Sequence, residues 1–249
     1  MQIKGMKLFS LASCLFSTFI ATAGDMGVQA PIADSRGELS FSAGYYNAEV
    51  GRTQHIDIVD LVGNNYRVNK KNDGSYLVGV GYLVNGGNYS WLNMAYGVKA
   101  FYLGQTKVRG VVEQENIFTN LSYRYNLSHI PIYAMARAMI GPGSKSYAFT
   151  LDAGIGPNVM VTSSYDERSL DGGITIPDYA FYGHIKTKFS ATAGVGVKFT
   201  NLINAAAIEI GYRFFYLGQG DLRPRTNEIL NSLKTKDIYA NAVVLTLSI

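Results

Sequence analysis

The sequence predicts an all-β fold, an eight-stranded antiparallel transmembrane up-and-down β-barrel. Three observations carry that prediction. The chain opens with an export segment and contains no later apolar run long enough for a spanning helix. Segment after segment then alternates with a period of two, and glycine gathers on the polar side. Short and long connections alternate between those segments.

The export segment comes first. Lys4 and Lys7 precede a mostly apolar run from Leu8 to Ile20, and Ala21-Thr22-Ala23 supplies the small-x-small pattern at which signal peptides are cut. The expected plan is a cleaved signal peptide over 1–23, a short extension over 24–36 and a barrel over 37–249. The sole cysteine, Cys14, falls in the cleaved part, so disulfides and thiolate metal sites are not expected in the mature chain. Leu11-Ala12-Ser13-Cys14 resembles a lipoprotein acylation box, but it lies too close to Lys7 to follow a full apolar core. Charged residues are 16% of the chain, against about 25% in soluble domains. Loss of Lys4 and Lys7 takes the net charge from +4 to +2, too little to argue for a nucleic-acid partner.

A wall strand must show lipid on one face and the lumen on the other. Leu39, Phe41, Ala43 and Tyr45 alternate with Glu38, Ser40, Ser42 and Gly44. Tyr76, Val78, Val80, Tyr82 and Val84 alternate with Leu77, Gly79, Gly81 and Leu83. Leu92, Met94, Tyr96, Val98 and Tyr102 oppose Asn93, Ala95, Gly97 and Lys99. Residues from about 120 to 140 are read as one long fourth strand, with Tyr133, Met135, Arg137 and Met139 on one side. Phe149, Leu151, Ala153 and Ile155 oppose Thr150, Asp152, Gly154 and Gly156. Phe189 to Phe199, Ile208 to Tyr216 and Tyr239 to Ile249 repeat the pattern, with Asn241 the one polar residue on the apolar side of the last.

A soluble β-sandwich alternates too, but its polar face is wet, and glycine weakens a strand unless something crowds it. A narrow lumen supplies that crowding. Connections settle the strand number: short at residues 85–88, 141–146 and 201–204, long at 49–75, 103–119, 162–184 and 218–236. These alternate only if the fourth strand is single; ten strands is the alternative if Ile174 to Phe181 pairs.

Segments such as Leu77-Val78-Gly79-Val80-Gly81-Tyr82, Leu151-Asp152-Ala153-Gly154-Ile155-Gly156, Ala193-Gly194-Val195-Gly196-Val197 and Glu209-Ile210-Gly211-Tyr212-Arg213 resemble the small outer-membrane barrels related to OmpA, OmpX and the opacity proteins. The resemblance spans Glu38 to Ile249 and implies the cell outer membrane, with periplasmic short turns and exposed long loops. It also implies adhesion or host interaction as a role. An apolar final residue resembles the signal read by the barrel-assembly machinery, although Ile249 stands where Phe or Trp is commoner.

With the apolar faces outward, Glu38, Lys99, Arg137, Asp152, Lys198, Glu209 and Arg213 point into the lumen. An eight-stranded barrel is just wide enough for its own side chains, so these charges must pair. The hairpins set Arg137 near Thr150 and Asp152, and Lys198 near Glu209. A structural ionic network closing the lumen is expected, with an ion-conducting constriction as the rival. Tyr45, Tyr82, Tyr102, Phe149, Phe189, Phe199, Tyr216 and Tyr239 suit the interfacial girdles.

For chemistry there are three histidines, His55, His129 and His184, placed in or near the outer loops. Ser128-His129 is the only adjacent Ser–His pair, and it reads as a polar pair in a solvated strand extension. His55, Asp57 and Asp60 show no metal-ligand clustering, and no phosphate loop occurs. Neither catalytic residues nor cofactors are expected. Arg67, Lys70, Lys71, Lys107, Arg109, Arg223, Arg225, Lys234 and Lys236 make the loops basic, which suits contact with lipopolysaccharide and other outer-membrane lipids. The expected role is a non-catalytic surface barrel serving envelope integrity, adhesion or host contact, with a narrow porin and then a lipid-modifying enzyme as alternatives.

Overall fold

The computed structural model describes residues 37–88, 91–141, 146–203 and 206–249. The expected signal peptide and extension, and the tips of the three short turns, lie outside them. In chain order the strands are β1 (Gly37–Glu49), β2 (Gln54–Ile56), β3 (Asn64–Lys70), β4 (Asn72–Asn88), β5 (Leu92–Gln114), β6 (Phe118–Ile140), β7 (Tyr147–Ser169), β8 (Phe181–Tyr182), β9 (Ile185–Ile203), β10 (Ala206–Pro224) and β11 (Leu233–Ser248). Eight of them pair antiparallel in the order β1-β4-β5-β6-β7-β9-β10-β11, and β11 returns to β1 with Phe41 opposite Leu247. The ring is closed. The fourth wall strand, β6, runs unbroken from 118 to 140, and the segment from Ile174 adds only the two-residue β8 against the end of β10.

Side-chain parity follows the physics of the two solvents. Phe41, Tyr45, Val78, Val80, Tyr82, Tyr96, Val98, Phe149, Leu151, Phe189, Tyr212, Val243 and Leu245 stand exposed on the outer face of the wall. On that face the Tyr212 hydroxyl donates to Asn241, so the polar exception among the apolar residues has a partner. Inside, glycine makes room for bulk. A Cβ on Gly81 would meet Lys99 Cγ at 2.7 Å, and one on Gly196 would meet Thr150 Oγ1 at 2.8 Å and Glu209 Oε1 at 3.0 Å.

The long connections differ from the expectation. A strand tilted in the bilayer crosses with about 9–11 residues, yet β5, β6 and β7 each have 23. The stretch 103–119, read as a loop, is instead a hairpin of β5 and β6 that turns over residues 115–117. Much of 162–184 and 218–236 is likewise strand. The reason lies in the wall's surroundings. Above the apolar belt the outer face carries exposed Lys107, Arg109 and Arg124, while Val108, Val112, Leu121, Tyr125 and Leu127 turn inward and are buried. Alternation continues, but its polarity inverts once water replaces lipid.

This extension completes its own wall. Beyond Leu103 the neighbour of β5 is no longer β4 but β3, with Tyr66 opposite Val112. β2 pairs with β3, and Gln54 exchanges two hydrogen bonds with the Lys234 backbone of β11, at 2.8 and 3.1 Å. Across the top, Ile58 bridges Ile229, and the Arg225 amide donates to Ala180 O at 2.9 Å. The first, third and last long connections are thereby tied together.

Candidate functional site

The interior is filled at two levels. Toward the short turns lies an ionic layer centred on Asp152, which faces Arg137 across the β6–β7 ladder. Arg137 donates from Nε to Asp152 Oδ1 at 2.7 Å and from Nη2 to Oδ2 at 2.9 Å. Arg213 also donates to Asp152 Oδ2. Arg137 Nη1 reaches Glu209 Oε2 at 2.9 Å and lies 3.9 Å from Glu38 Oε1. The Thr150 hydroxyl donates to Glu209 Oε1 at 3.1 Å. Lys198 Nζ is 2.5 Å from Glu38 Oε2.

One expected pairing is replaced. Lys198 and Glu209 are register partners, but each finds its ion partner elsewhere: Lys198 in Glu38, and Glu209 in Arg137. The lumen is narrow enough for long side chains to span it, so a residue on the far wall competes with the adjacent strand. Lys99 differs from the other six. Among the described residues no carboxylate lies within 4 Å of its ammonium group, which sits 5.6 Å from the Phe101 ring centre. Arg213 lies over the same ring at 5.4 Å. The void beside Asp152, Glu209 and Arg213 measures ≈10 Å³.

Above this layer is an apolar plug. Phe101, Tyr133 and Phe215 pack together, with Phe101 and Phe215 edge to face at 5.4 Å. Tyr46, Leu103, Leu127 and Leu217 are buried in the same core. His129 lies at this depth, fully buried, where Asn158 Nδ2 donates to its Nδ1 at 3.2 Å and to Leu217 O at 2.8 Å. The solvated pair expected at Ser128-His129 is therefore not formed. Consecutive strand residues point to opposite faces, so His129 turns inward and Ser128 outward. Parity could have told them apart.

The other two histidines are rim residues. His55 Nδ1 is 2.8 Å from Asn65 Oδ1. His184 Nδ1 is 3.0 Å from Asp221 Oδ1, and Lys186 Nζ is 2.9 Å from Asp221 Oδ2. Burial would raise the Asp221 pKa, but Lys186 and His184 outweigh it and hold the carboxyl below its ordinary value. Among the described residues no three His, Cys, Asp or Glu side chains gather as a metal site.

On the outside, Arg109 and Arg124 are cross-strand partners just above the apolar belt. They line a groove of ≈320 Å³ with Arg168 and Asp166, and Lys107 adjoins it. Asp166 pairs with Arg124 at 2.8 Å and Arg168 at 3.1 Å, which leaves Arg109 and Lys107 with no acid in ion-pair range among the described residues.

No family model and no curated protein sequence matches the chain. Solved structures do. The outer-membrane protein OprG from Pseudomonas aeruginosa aligns with a TM-score of 0.50 at 12% identity, covering 86% of this chain and 97% of its own. The chain has the fold of the small bacterial outer-membrane β-barrels. Neisserial surface protein A aligns at TM-score 0.41 and 14% identity over 86% of this chain and 96% of its own. The protease OmpT from Escherichia coli aligns at 0.47 and 8% identity, over 86% and 96%. With the lipid-facing belt around its wall, this outer-membrane barrel is a protein of the bacterial outer membrane. Identities this low speak to the fold, and a fold does not choose among functions.

Proposed function

We propose that the chain is a non-catalytic surface barrel that reinforces the outer membrane and presents its extension to the surroundings or to a host cell. The observation that carries this reading is an interior occupied twice over. An ion needs a continuous wet path, and here a paired ionic layer lies beneath an aromatic and aliphatic plug. The ≈10 Å³ void in the ionic layer has room for about one water molecule and none for a continuous water-filled path. Separation of Ser128 from His129 onto opposite faces of the wall supports a non-catalytic role as well.

The basic groove supports contact with lipopolysaccharide. Lys107 and Arg109 stand directly above the belt, at the height where anionic headgroup phosphates of an outer leaflet lie, and charge-assisted bonds to phosphate suit arginine. Insertion by the barrel-assembly machinery through the apolar end of β11 belongs to the same reading. Its test is electrical. Purified protein refolded into planar lipid bilayers is expected to give no stable conductance steps, and large stable steps from a homogeneous sample would overturn the closed lumen.

A further inference from the structure

Above the plug, under the tied long connections, lies a cavity of ≈300 Å³. Its floor and walls are apolar, made by Ile56, Ile58, Leu61, Val112, Leu121 and Ile229. Its polar side is unusual in one respect. Glu167 lines the cavity and is only 2% exposed, yet all the hydrogen-bond donors to its carboxylate are neutral. The hydroxyls of Tyr165 and Tyr66 donate to Oε1, the latter at 3.5 Å, and the Tyr179 amide donates to Oε2 at 2.8 Å.

Every acid of the ionic layer has a cation within 4 Å, whereas Glu167 has none among the described residues. A buried carboxylate with only neutral donors around it lacks the cation that would offset the cost of its burial. Asp178 and Glu228 at the rim add negative charge, and among the described residues they form no ion pair and Arg225 is the one base lining the cavity. Burial, and next the Glu167 charge, push the Tyr66 hydroxyl above its ordinary range, which keeps it a donor. The aromatic wall behind the carboxylate is continuous: Tyr66 and Tyr165 each meet Phe181 edge to face, at 5.6 and 5.5 Å.

We propose that this cavity binds a small organic cation, an amine carrying an apolar arm, with its ammonium group at Glu167 and its arm on the aliphatic floor. The volume fits such a ligand, since small-molecule sites begin at about 300 Å³. An ammonium donates where a carboxylate only accepts, and the rings behind it favour a cation. This site lies above the plug and does not depend on whether the lumen conducts.

The test uses the mature protein refolded in detergent, titrated calorimetrically with phenethylamine, 2-phenylethanol and phenylacetate. The amine is expected to bind roughly tenfold or more tightly than the alcohol, and the acid not measurably, as loss of a charged hydrogen bond implies. Glu167→Gln is expected to erase the preference for the amine while the variant keeps its heat-modifiable gel mobility. Should that variant fail to fold, Asp178→Asn with Glu228→Gln at the rim is expected to weaken amine binding, and Ala180→Phe, which fills the cavity, to abolish it. Equal affinity for amine and alcohol, or amine binding that survives both Glu167→Gln and Ala180→Phe, would overturn the proposal. So would unchanged binding in the rim and filling variants.

Discussion

The two halves of this barrel obey opposite rules with one chain and one wall. In the membrane half the apolar residues face out, and the interior holds Arg137, Asp152, Glu209, Lys198, Glu38, Arg213 and Lys99. In the extension the apolar residues face in, and Lys107, Arg109 and Arg124 face out. The direction of pairing does not change between them; β5 and β6 run through both, with a bulge in their ladder between Leu103 and Thr106. What changes is the solvent. Lipid accepts hydrocarbon and leaves polar groups for the lumen, whereas water accepts charge and leaves hydrocarbon for the core. Phe101 marks the border, with two cationic side chains against its ring on one side and Tyr133 with Phe215 on the other.

If the halves are held by different forces, they should fail to different substitutions. The largest effect is expected at Asp152, where Asp152→Asn keeps the volume and removes the charge shared by Arg137 and Arg213. Breaking a buried pair from one side leaves uncompensated charge and costs about 3–5 kcal/mol. Urea unfolding of the refolded variant in lipid vesicles measures it, and a change below about 1 kcal/mol, the worth of an exposed pair, would mean that water already screens the layer.

The extension should answer to volume instead. Leu217 is fully buried in the plug, and Leu217→Ala is expected to cost about 2–5 kcal/mol through lost transfer energy and the cavity left behind. Its effect should stay local. Amide exchange at Leu103 and Leu127, both in the plug, should quicken while exchange in the membrane half holds steady. Faster exchange in both halves alike would show that they unfold as one unit and would dissolve the distinction.

Much of this division was legible in the sequence, though only half of it was read with the right key. Alternation fixes which residues share a face, and the bilayer fixes which face is apolar, so the eight strands and their closure follow from pattern alone. The extension carried an equally regular signal. Val108, Val112, Tyr123, Tyr125 and Leu127 alternate with Lys107, Arg109, Arg124 and Asn126 as cleanly as any membrane segment. Read with the membrane's key, its β5 side over 103–119 looked like loop, while residues from about 120 were read as part of the fourth strand. Glu167 escapes that reading: even residues of β7 face in up to Thr162, and a bulge between Ser163 and Asp166 then turns Glu167 inward.

Ion partners were less legible than positions. Arg137 and Asp152 meet across one ladder, which a hairpin predicts. Lys198–Glu38 and Arg137–Glu209 join strands far apart in sequence, and such contacts depend on the shear and tilt of the closed ring, to which local spacing is blind.

The finest test of the comparison is Lys99, a cation in the ionic layer that lacks an acid within ion-pair range among the described residues. Its layer holds four bases and three acids, so one cation must go short. If pairing is what stabilises the membrane half, Lys99 contributes little and its desolvation works against the fold. Lys99→Met keeps the length of the side chain, removes the surplus charge and leaves a thioether beside Phe101, a favourable contact for sulfur. The expected change in stability is small, within about 1 kcal/mol, and of either neutral or stabilising sign. The contrast with Asp152→Asn is the result that matters, because both substitutions remove one buried charge from the same layer. A Lys99→Met loss as large as that of Asp152→Asn would show that the layer is held by its total field instead of by discrete pairs.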